Sequence, residues 1–375
     1  METLLKENEV PKKTEKGLID CDVHPYLEDF NELIPYLEEG IQRHMNIGKF
    51  EKNMLTNMNA GSFTFPKSRY GNPNHVLRLD AITPTGGVPG SDPVFAVKDL
   101  FERHNHTFGI LNIGHGTMAG YHNIYIAAGY TSASNDWLYE RWIESDPRFK
   151  MTMSVTPTAP DLAIKEIERI GDKSGIAGIN LQSINIPLGH RHFWPLYEVA
   201  QEYNLPIVLH PDCEGTAEYA PPNAVGPASS YMEWHTTLSL IAQRQIMSLV
   251  CEGVFEKFPN LKFNFIEYGV SWLPSLMWRL DKNWRALRNE IPWVKELPSE
   301  YIRRNVRLGT QPIEESFHPK DIVDLIKMAK AEDMLLFASD YPHWDGDESN
   351  RAFLHFPEEL KQKIFYENAK NSYRL

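Results

Sequence analysis

The feature that most constrains the fold is a regular alternation of short apolar runs with longer amphipathic segments. The short runs have the length and the β-branched or aromatic content of strands, and the segments between them have helical periodicity. We predict strands over residues 18–22, 108–113, 150–156, 176–181, 206–210, 261–267, 305–309 and 334–340. We predict helices over residues 124–143, 161–170, 193–203, 231–258, 272–288, 319–330 and 357–369.

This alternation predicts an α/β protein, a (β/α)8 TIM barrel with an insertion after strand 1. The alternative is an open doubly wound sheet, but Val23-His24-Pro25 stands where such a fold carries a Gly-rich turn. We predict a flexible N-terminal arm over residues 1–17 and a single barrel domain over 18–375. Residues 25–100, rich in Gly, Pro and Asn, are predicted to form a loop-rich insertion over the site.

The composition limits the classes of partner. The 375 residues carry a formal net charge of −12, which argues against a nucleic acid or an anionic membrane surface as partner. The cysteines Cys21, Cys213 and Cys251 show no CxxC pairing, as is usual in a reducing compartment. No signal-like segment and no run of about 18 apolar residues is present. We expect a cytoplasmic protein with a small-molecule substrate.

Metal-ligand residue types recur where the predicted strands end. Asp22 and His24 stand at the end of strand 1, His210 closes strand 5, Glu267 closes strand 6 and Asp340 closes strand 8. Each one alone has an ordinary explanation, such as a helix cap for an Asp or a core position for a His. Because the functional groups of a barrel gather at the carboxyl ends of its strands, we expect all five to converge on a metal.

Some of these motifs resemble the amidohydrolase-related family. They are Asp22-Val-His24, His210 and the segment Phe337-Ala-Ser-Asp340-Tyr-Pro-His343, and the resemblance covers residues 18–375. The nearest branch contains the metal-dependent decarboxylases of aminocarboxymuconate semialdehyde and of hydroxybenzoates. The resemblance implies a (β/α)8 barrel with one or two divalent metals. It also implies that Asp22, His24, His210 and Asp340 are ligands, and that Asp340 moves a proton.

The sequence departs from this family at two positions. Many relatives open with His-x-His, whereas this chain has Asp22-Val-His24, and the decarboxylases usually carry His-x-Gly where Glu267-Tyr268-Gly269 stands. Both changes replace nitrogen by oxygen. The resulting ligand set favours Mn or Fe(II), with Zn also compatible. Glu267 is a candidate catalytic residue beside Asp340, and it could also bridge two metal ions.

Six further residues are candidates for the surroundings of the metal. Glu233, His235 and His343 are candidates for a second metal site or for the pocket wall. Substrate-binding donors are predicted at Arg78, His115 and Gln311.

Three functions are compatible with such a site. The first is a metal-dependent hydrolase that attacks an amide, imide or lactone through a metal-activated water. The alternatives are a non-oxidative decarboxylase of an aromatic or cyclic acid, and an O2-dependent hydroxylase with a dinuclear Fe or Fe/Mn site. The aromatic content of residues 272–288 further predicts a homodimer or a larger oligomer, with a related chain as another partner to consider.

Overall fold

The computed structural model describes residues 17–44, 76–113, 119–212, 214, 220–222, 226 and 228–375. The predicted N-terminal arm lies outside the described residues except for Gly17, and so does a large part of the predicted insertion, residues 45–75. The domain boundaries therefore stay a prediction.

Parallel strands form one closed sheet in the described part of the chain, in the order of the sequence. They are β1 Leu18–Val23, β2 His106–Leu111, β3 Phe149–Val155, β4 Ile176–Leu181, β5 Ile207–Leu209, β6 Phe263–Phe265, β7 Val306–Gly309 and β8 Leu335–Leu336. The backbone N–H of Cys21 donates to the carbonyl of Phe337 at 2.8 Å, and that of His24 to Tyr341 at 2.7 Å. These bonds join β1 to the segment after β8, so the predicted (β/α)8 barrel is confirmed.

Helices alternate with the strands, as the sequence predicts. The α-helices of the described residues are α1 Glu39–His44, α2 Pro93–Ala96, α3 Ile124–Leu138, α4 Pro160–Ile170, α5 Trp194–Glu202, α6 Tyr231–Cys251, α7 Val254–Lys257, α8 Leu273–Leu287, α9 Pro298–Asn305, α10 Lys320–Ala329, α11 Ser349–Ala352, α12 Glu358–Gln362 and α13 Asn368–Ser372. Short 3-10 helices cover Phe30–Tyr36, Leu79–Ala81, Arg191–Phe193 and Arg288–Glu290, and π-helical turns cover Val97–Arg103, Tyr139–Ile143 and Lys363–Glu367.

Two helical details differ from the prediction. The helix predicted over residues 231–258 is divided into α6 and α7, because Gly253 between them has a φ of 78°, which a continuing helix cannot contain. Helices α1, α2 and α9 were not predicted. None of the described helices has both the length and the apolar composition needed to cross a bilayer.

The core has two layers, which follow from the alternation of side chains along each strand. One buried cluster contains Ile19, Ile110, Val208 and other residues of the barrel interior, together with Tyr373 from the C-terminal segment. A larger cluster lies between strands and helices and contains Leu18, Val23 and most of the buried aromatic residues. The barrel interior is therefore packed with side chains.

The strands that lead to the predicted site are shorter than expected. His210, Glu267 and Asp340 stand in the loops just beyond β5, β6 and β8, so the prediction that they close their strands is wrong in this detail. The reason is visible in the backbone: φ is 65° at Glu267 and 59° at Asp340, a left-handed conformation that a strand excludes.

Candidate metal centre

Strand β1 brings Asp22 and His24 to the carboxyl end of the barrel, where both are buried. Asn112, just after β2, donates from Nδ2 to Asp22 Oδ1 at 2.9 Å, and its carbonyl oxygen lies 3.0 Å from His24 Nδ1. Because a carbonyl can only accept, Nδ1 of His24 carries the proton and Nε2 is free to bind a metal. Asn112 thus orients both side chains, and sequence reasoning missed it because its role depends on strand pairing.

His210 and Asp340 approach the same point from the loops after β5 and β8. His210 Nδ1 lies 2.6 Å from the carbonyl oxygen of Pro211, so its Nε2 is also free. Asp340 Oδ1 lies 3.0 Å from His24 Nε2, and Asp22 Oδ2 lies 3.6 Å from His210 Nε2. The ligand atoms of Asp22, His24, His210 and Asp340 all lie within 4.8 Å of one another. We call this set the four-ligand centre.

The ligand atoms of the four-ligand centre lack hydrogen-bond partners. Asp22 Oδ2, both carboxylate oxygens of Asp340, and Nε2 of His24 and of His210 are buried without such a partner. A buried polar atom left unpaired costs about 1–3 kcal/mol, so five of them around one point indicate a binding site for a cation. Two carboxylates and two imidazoles suit Zn, Mn or Fe(II). The residues therefore fit the predicted divalent metal.

The pKa shifts in the four-ligand centre have the same cause. Burial by itself would raise the pKa of Asp22, but the charges on His24 and His210 bring it below its ordinary range. Burial would lower the pKa of His24, but Asp22 and Asp340 raise it to about 10. The Asp22 carboxylate is thus stabilised by nearby positive charge. A divalent ion would supply that charge in place of protons, because an imidazole that binds a metal is neutral.

Glu267 stands beside the four-ligand centre on the loop after β6. Its Oε2 lies 2.9 Å from His210 Nε2, and its Oε1 lies 3.1 Å from His235 Nε2. Burial would raise the pKa of Glu267, but His210 and His235 bring it below its ordinary range. The structure places Glu267 next to a metal ligand, and its role as ligand or catalytic base stays a prediction.

His235 and Asp345 extend this cluster toward solvent. His235 projects from α6, stacks on Tyr231 with ring centroids 5.5 Å apart, and has Nε2 at 3.6 Å from Asp345 Oδ2. Burial would lower the pKa of His235, but Glu267 raises it to about 9. Burial and the charges of Asp340 and Glu267 raise the pKa of Asp345 to about 6. Sequence reasoning missed Asp345, although it stands only two positions after His343.

The imidazole ring of His343 contacts the Asp340 carboxylate. Its Nδ1 lies 2.6 Å from Asp340 Oδ1, its Nε2 lies 2.7 Å from the hydroxyl of Tyr26, and its ring stacks on His24 at 4.5 Å. His343 therefore lies beside Asp340 and His24, and its role at a second metal site or in the pocket wall stays a prediction. Tyr26 was not predicted, because nothing in its local sequence connects it with a residue more than 300 positions away.

The prediction that Glu233 belongs to the site is wrong. Its side chain is exposed and its carboxylate accepts hydrogen bonds from the backbone N–H and the hydroxyl of Ser229, at 2.7 and 2.9 Å. Residues two apart on a helix point about 200° away from each other, so Glu233 and His235 cannot face the same cluster.

The predicted substrate-binding residues have different surroundings. Arg78 is paired with Asp80 at 2.9 Å, and its contacts include none of the metal ligands. It lines a separate depression with His106 and Tyr341, so the structure gives no support to its predicted role. Gln311 is fully buried and donates to the carbonyl of Asp345 at 3.3 Å, which leaves it beside the site. His115 lies outside the described residues.

A (β/α)8 barrel with buried carboxylates and imidazoles converging at its strand ends defines a metal-dependent barrel enzyme. The amidohydrolase family model matches residues 19–375, and the chain belongs to this family. It is an enzyme of the amidohydrolase superfamily, as the sequence motifs predict.

One relative and two solved structures show what this chain is similar to. The chain is 26% identical over 264 residues to the gamma-resorcylate decarboxylase of Polaromonas sp. strain JS666, a match that covers 64% of this chain and 75% of that protein. An amidohydrolase from Mycobacterium avium subsp. paratuberculosis K-10 has a similar structure, with a TM-score of 0.70 at 19% identity over 96% of this chain and 100% of that one. The dihydroxybenzoic acid decarboxylase of Polaromonas sp. JS666, solved with manganese and 2-nitroresorcinol, has a TM-score of 0.61 at 19% identity over 95% and 96%. The two structures show the same fold.

Proposed function

We propose that this protein is a divalent-metal-dependent decarboxylase that releases CO2 from a small aromatic or cyclic acid without an oxidant. The observation that carries the proposal is the convergence of unpartnered ligand atoms in the four-ligand centre. The relative that is 26% identical is a decarboxylase, which favours this reaction over the hydrolysis that the sequence motifs first suggested.

The positive charge that a bound metal ion would bring to the four-ligand centre indicates the class of substrate acid. A divalent ion held by Asp22, His24, His210 and Asp340 would supply the positive charge that binds a substrate carboxylate and an adjacent hydroxyl oxygen. Because carboxylate oxygens make up half of this ligand set, we favour Mn2+ over Zn2+. The aromatic acids with a hydroxyl group beside the carboxylate are therefore the first substrates to test.

Asp340 is the group that we propose to move the proton. Its carboxyl is buried, and the imidazole of His343 lies between it and Tyr26, with Nδ1 at 2.6 Å from Asp340 Oδ1 and Nε2 at 2.7 Å from the Tyr26 hydroxyl. The Asp340 carboxyl gives its proton to the ring carbon that bears the substrate carboxylate. The carbon–carbon bond then breaks, CO2 leaves, and the electron pair returns to the ring. Asp340 remains as a carboxylate and regains a proton from solvent.

The test follows both the CO2 and the proton. Metal-stripped protein is reloaded with Mn2+ and incubated with hydroxybenzoic acids, among them gamma-resorcylate. We expect CO2 release that stops on chelation, and in D2O one deuterium at the carbon that lost the carboxylate. Mn2+-loaded protein that hydrolyses an amide, imide or lactone and releases no CO2 from any acid would overturn the proposal.

Hydrolysis is the second candidate reaction, and the position of the Glu267 carboxylate favours it. The decarboxylases usually carry His-x-Gly at this position, whereas here a carboxylate oxygen lies 2.9 Å from His210 Nε2. A carboxylate beside a metal ligand is suited to take a proton from water. The same panel of substrates decides between the two reactions, and O2 consumption would instead favour the predicted hydroxylase.

A further inference from the structure

We propose that Asp20 is a positioning residue for the four-ligand centre, and that its carboxylate holds the backbone of two ligands, Asp22 and Asp340, in the place where they meet. Asp20 lies on β1, is fully buried and is not one of the four ligands. This role depends on the proposed function only in that a divalent ion is taken as bound at the centre.

Strand β1 changes its alternation just before the centre. Ile19 and Cys21 belong to the interior cluster, so regular alternation would also turn Val23 inward, but Val23 belongs to the outer cluster. The register of β1 with β2 shifts over the same stretch, between Asp20 and Val23. A β-bulge of this kind redirects side chains, and here it turns Asp22 toward the other ligands.

The Asp20 carboxylate stabilises this bulge. Asp22 has no partner residue in the register of β1 with β2, and its backbone N–H donates instead to Asp20 Oδ1 at 3.1 Å. A buried N–H without an acceptor is costly, so this bond favours the backbone conformation that directs Asp22 into the centre.

The same carboxylate also holds the segment that contains Asp340. Ser339 donates to Asp20 twice, from its backbone N–H to Oδ1 at 2.9 Å and from its hydroxyl to Oδ2 at 2.5 Å. The Ser339 hydroxyl in turn accepts from the N–H of Tyr341 at 3.2 Å. Both chain neighbours of Asp340 are therefore connected to one carboxylate, which helps to hold the left-handed backbone between them.

The burial of Asp20 indicates that these hydrogen bonds have a specific role. Within the described residues its only ion-pair contact is with His106, whose Nδ1 lies 3.5 Å from Asp20 Oδ2. Burying a carboxylate without a Lys or Arg partner is costly, and an apolar side chain of similar size would close the barrel between β8 and β1 without that cost. The competing explanation is that Asp20 only supports this closure. Its removal would then lower stability and leave the affinity of the folded protein for metal unchanged.

The affinity of the folded chain for Mn2+ separates the two explanations. The metal-stripped full-length protein is titrated with Mn2+ while EPR follows the free ion, and denaturant unfolding of the metal-free protein measures stability. We expect the Kd for Mn2+ to rise about tenfold in Asp20→Asn and in Ser339→Ala, and about 100-fold in Asp20→Ala. Changes of this size are usual for residues that orient metal ligands. If Asp20→Ala does not fold, the two milder variants decide the question.

The chain contains a matched control for these hydrogen bonds. Asp281 on α8 is buried and accepts from the N–H of Ser299 at 2.9 Å and from its hydroxyl at 2.8 Å, the same arrangement that Asp20 has with Ser339. Asp281→Asn and Ser299→Ala should lose stability and keep the wild-type Kd.

Weaker Mn2+ binding in either milder site variant, with none in the control pair, supports the positioning role. A wild-type Kd in both milder site variants, or equal weakening in the control pair, would show that Asp20 only supports the fold, and the proposed function would stand. A wild type that binds no Mn2+ contradicts the proposed function itself, and the positioning role with it.

Discussion

Asp340 occupies a backbone conformation that few residues adopt. Its φ of 59° is left-handed, and such a conformation costs about 1–3 kcal/mol unless the surroundings fix it. The His343 N–H donates to the Asp340 carbonyl at 2.7 Å, and the His343 ring contacts the Asp340 carboxylate. These contacts hold the strained backbone of Asp340 in the conformation that points its carboxylate into the four-ligand centre.

Replacing Asp340 by Asn tests its catalytic role. Asn has nearly the same shape and also tolerates a positive φ, so the fold should persist. Because Asn has no acidic proton, we expect decarboxylation to fall by about 100-fold or more, the usual contribution of a general acid. Steady-state kinetics measures the rate of decarboxylation, and elemental analysis measures the metal content. Full activity together with full metal content would show that Asp340 has neither proposed role.

Helix α6 illustrates how one element separates a structural residue from a functional one. The Ser230 hydroxyl accepts a hydrogen bond from the N–H of Glu233 at 3.2 Å, and the Glu233 carboxylate in turn accepts from Ser229. This arrangement fixes the start of the helix, as a capping box does. With that start fixed, His235 projects toward Glu267 while Glu233 faces solvent.

The Glu233→Ala variant should therefore lose stability and keep its metal. We expect a small decrease in the free energy of unfolding, since one side of the cap is removed. Denaturant unfolding followed by circular dichroism measures this change, and elemental analysis measures Mn2+ content. Asp324→Ala, at an exposed position on α10, is the control. A drop in bound Mn2+ would mean that Glu233 reaches the site after all.

The metal centre joins loops from across the whole barrel. The residues of the four-ligand centre come from the end of β1 and from the loops after β5 and β8, so an ion bound there would connect elements that are distant in sequence. Because only the folded chain brings these ligands together, metal binding stabilises the folded state.

Removing the metal should lower the unfolding temperature of the whole molecule. At a free Mn2+ concentration 100 times the Kd, the bound ion contributes about 2.7 kcal/mol, which chelation removes. The pKa of His24 is raised to about 10 in the metal-free protein, so protons compete for its ligand atom. Affinity for Mn2+ should therefore increase from pH 6 to pH 8. Thermal scans with EDTA and with Mn2+ measure the effect, and identical midpoints would contradict a metal in the fold.

The assembly of the whole molecule into a homodimer or a larger oligomer stays a prediction. Trp278 and Leu287 on α8, and Trp293 after it, are each at least 46% exposed. Exposed large apolar side chains of this kind are consistent with an interface.

The sequence by itself determined the class of fold and predicted the residues of the four-ligand centre. The alternation of strands and helices is local in origin, and a parallel barrel places all of its strand ends on one face. The sequence alone therefore predicts that four side chains lie close together, those of Asp22, His24, His210 and Asp340.

Only the tertiary structure decided which side chains face one another. Asn112, Tyr26 and Asp345 contact residues of the site from other parts of the barrel. Glu233 lies outside the site because its position on helix α6 directs its side chain to solvent. These outcomes depend on backbone angles, such as the positive φ of Glu267, and on distances between segments that are far apart in the chain. Local sequence does not encode such distances, because they result from the packing of the whole barrel.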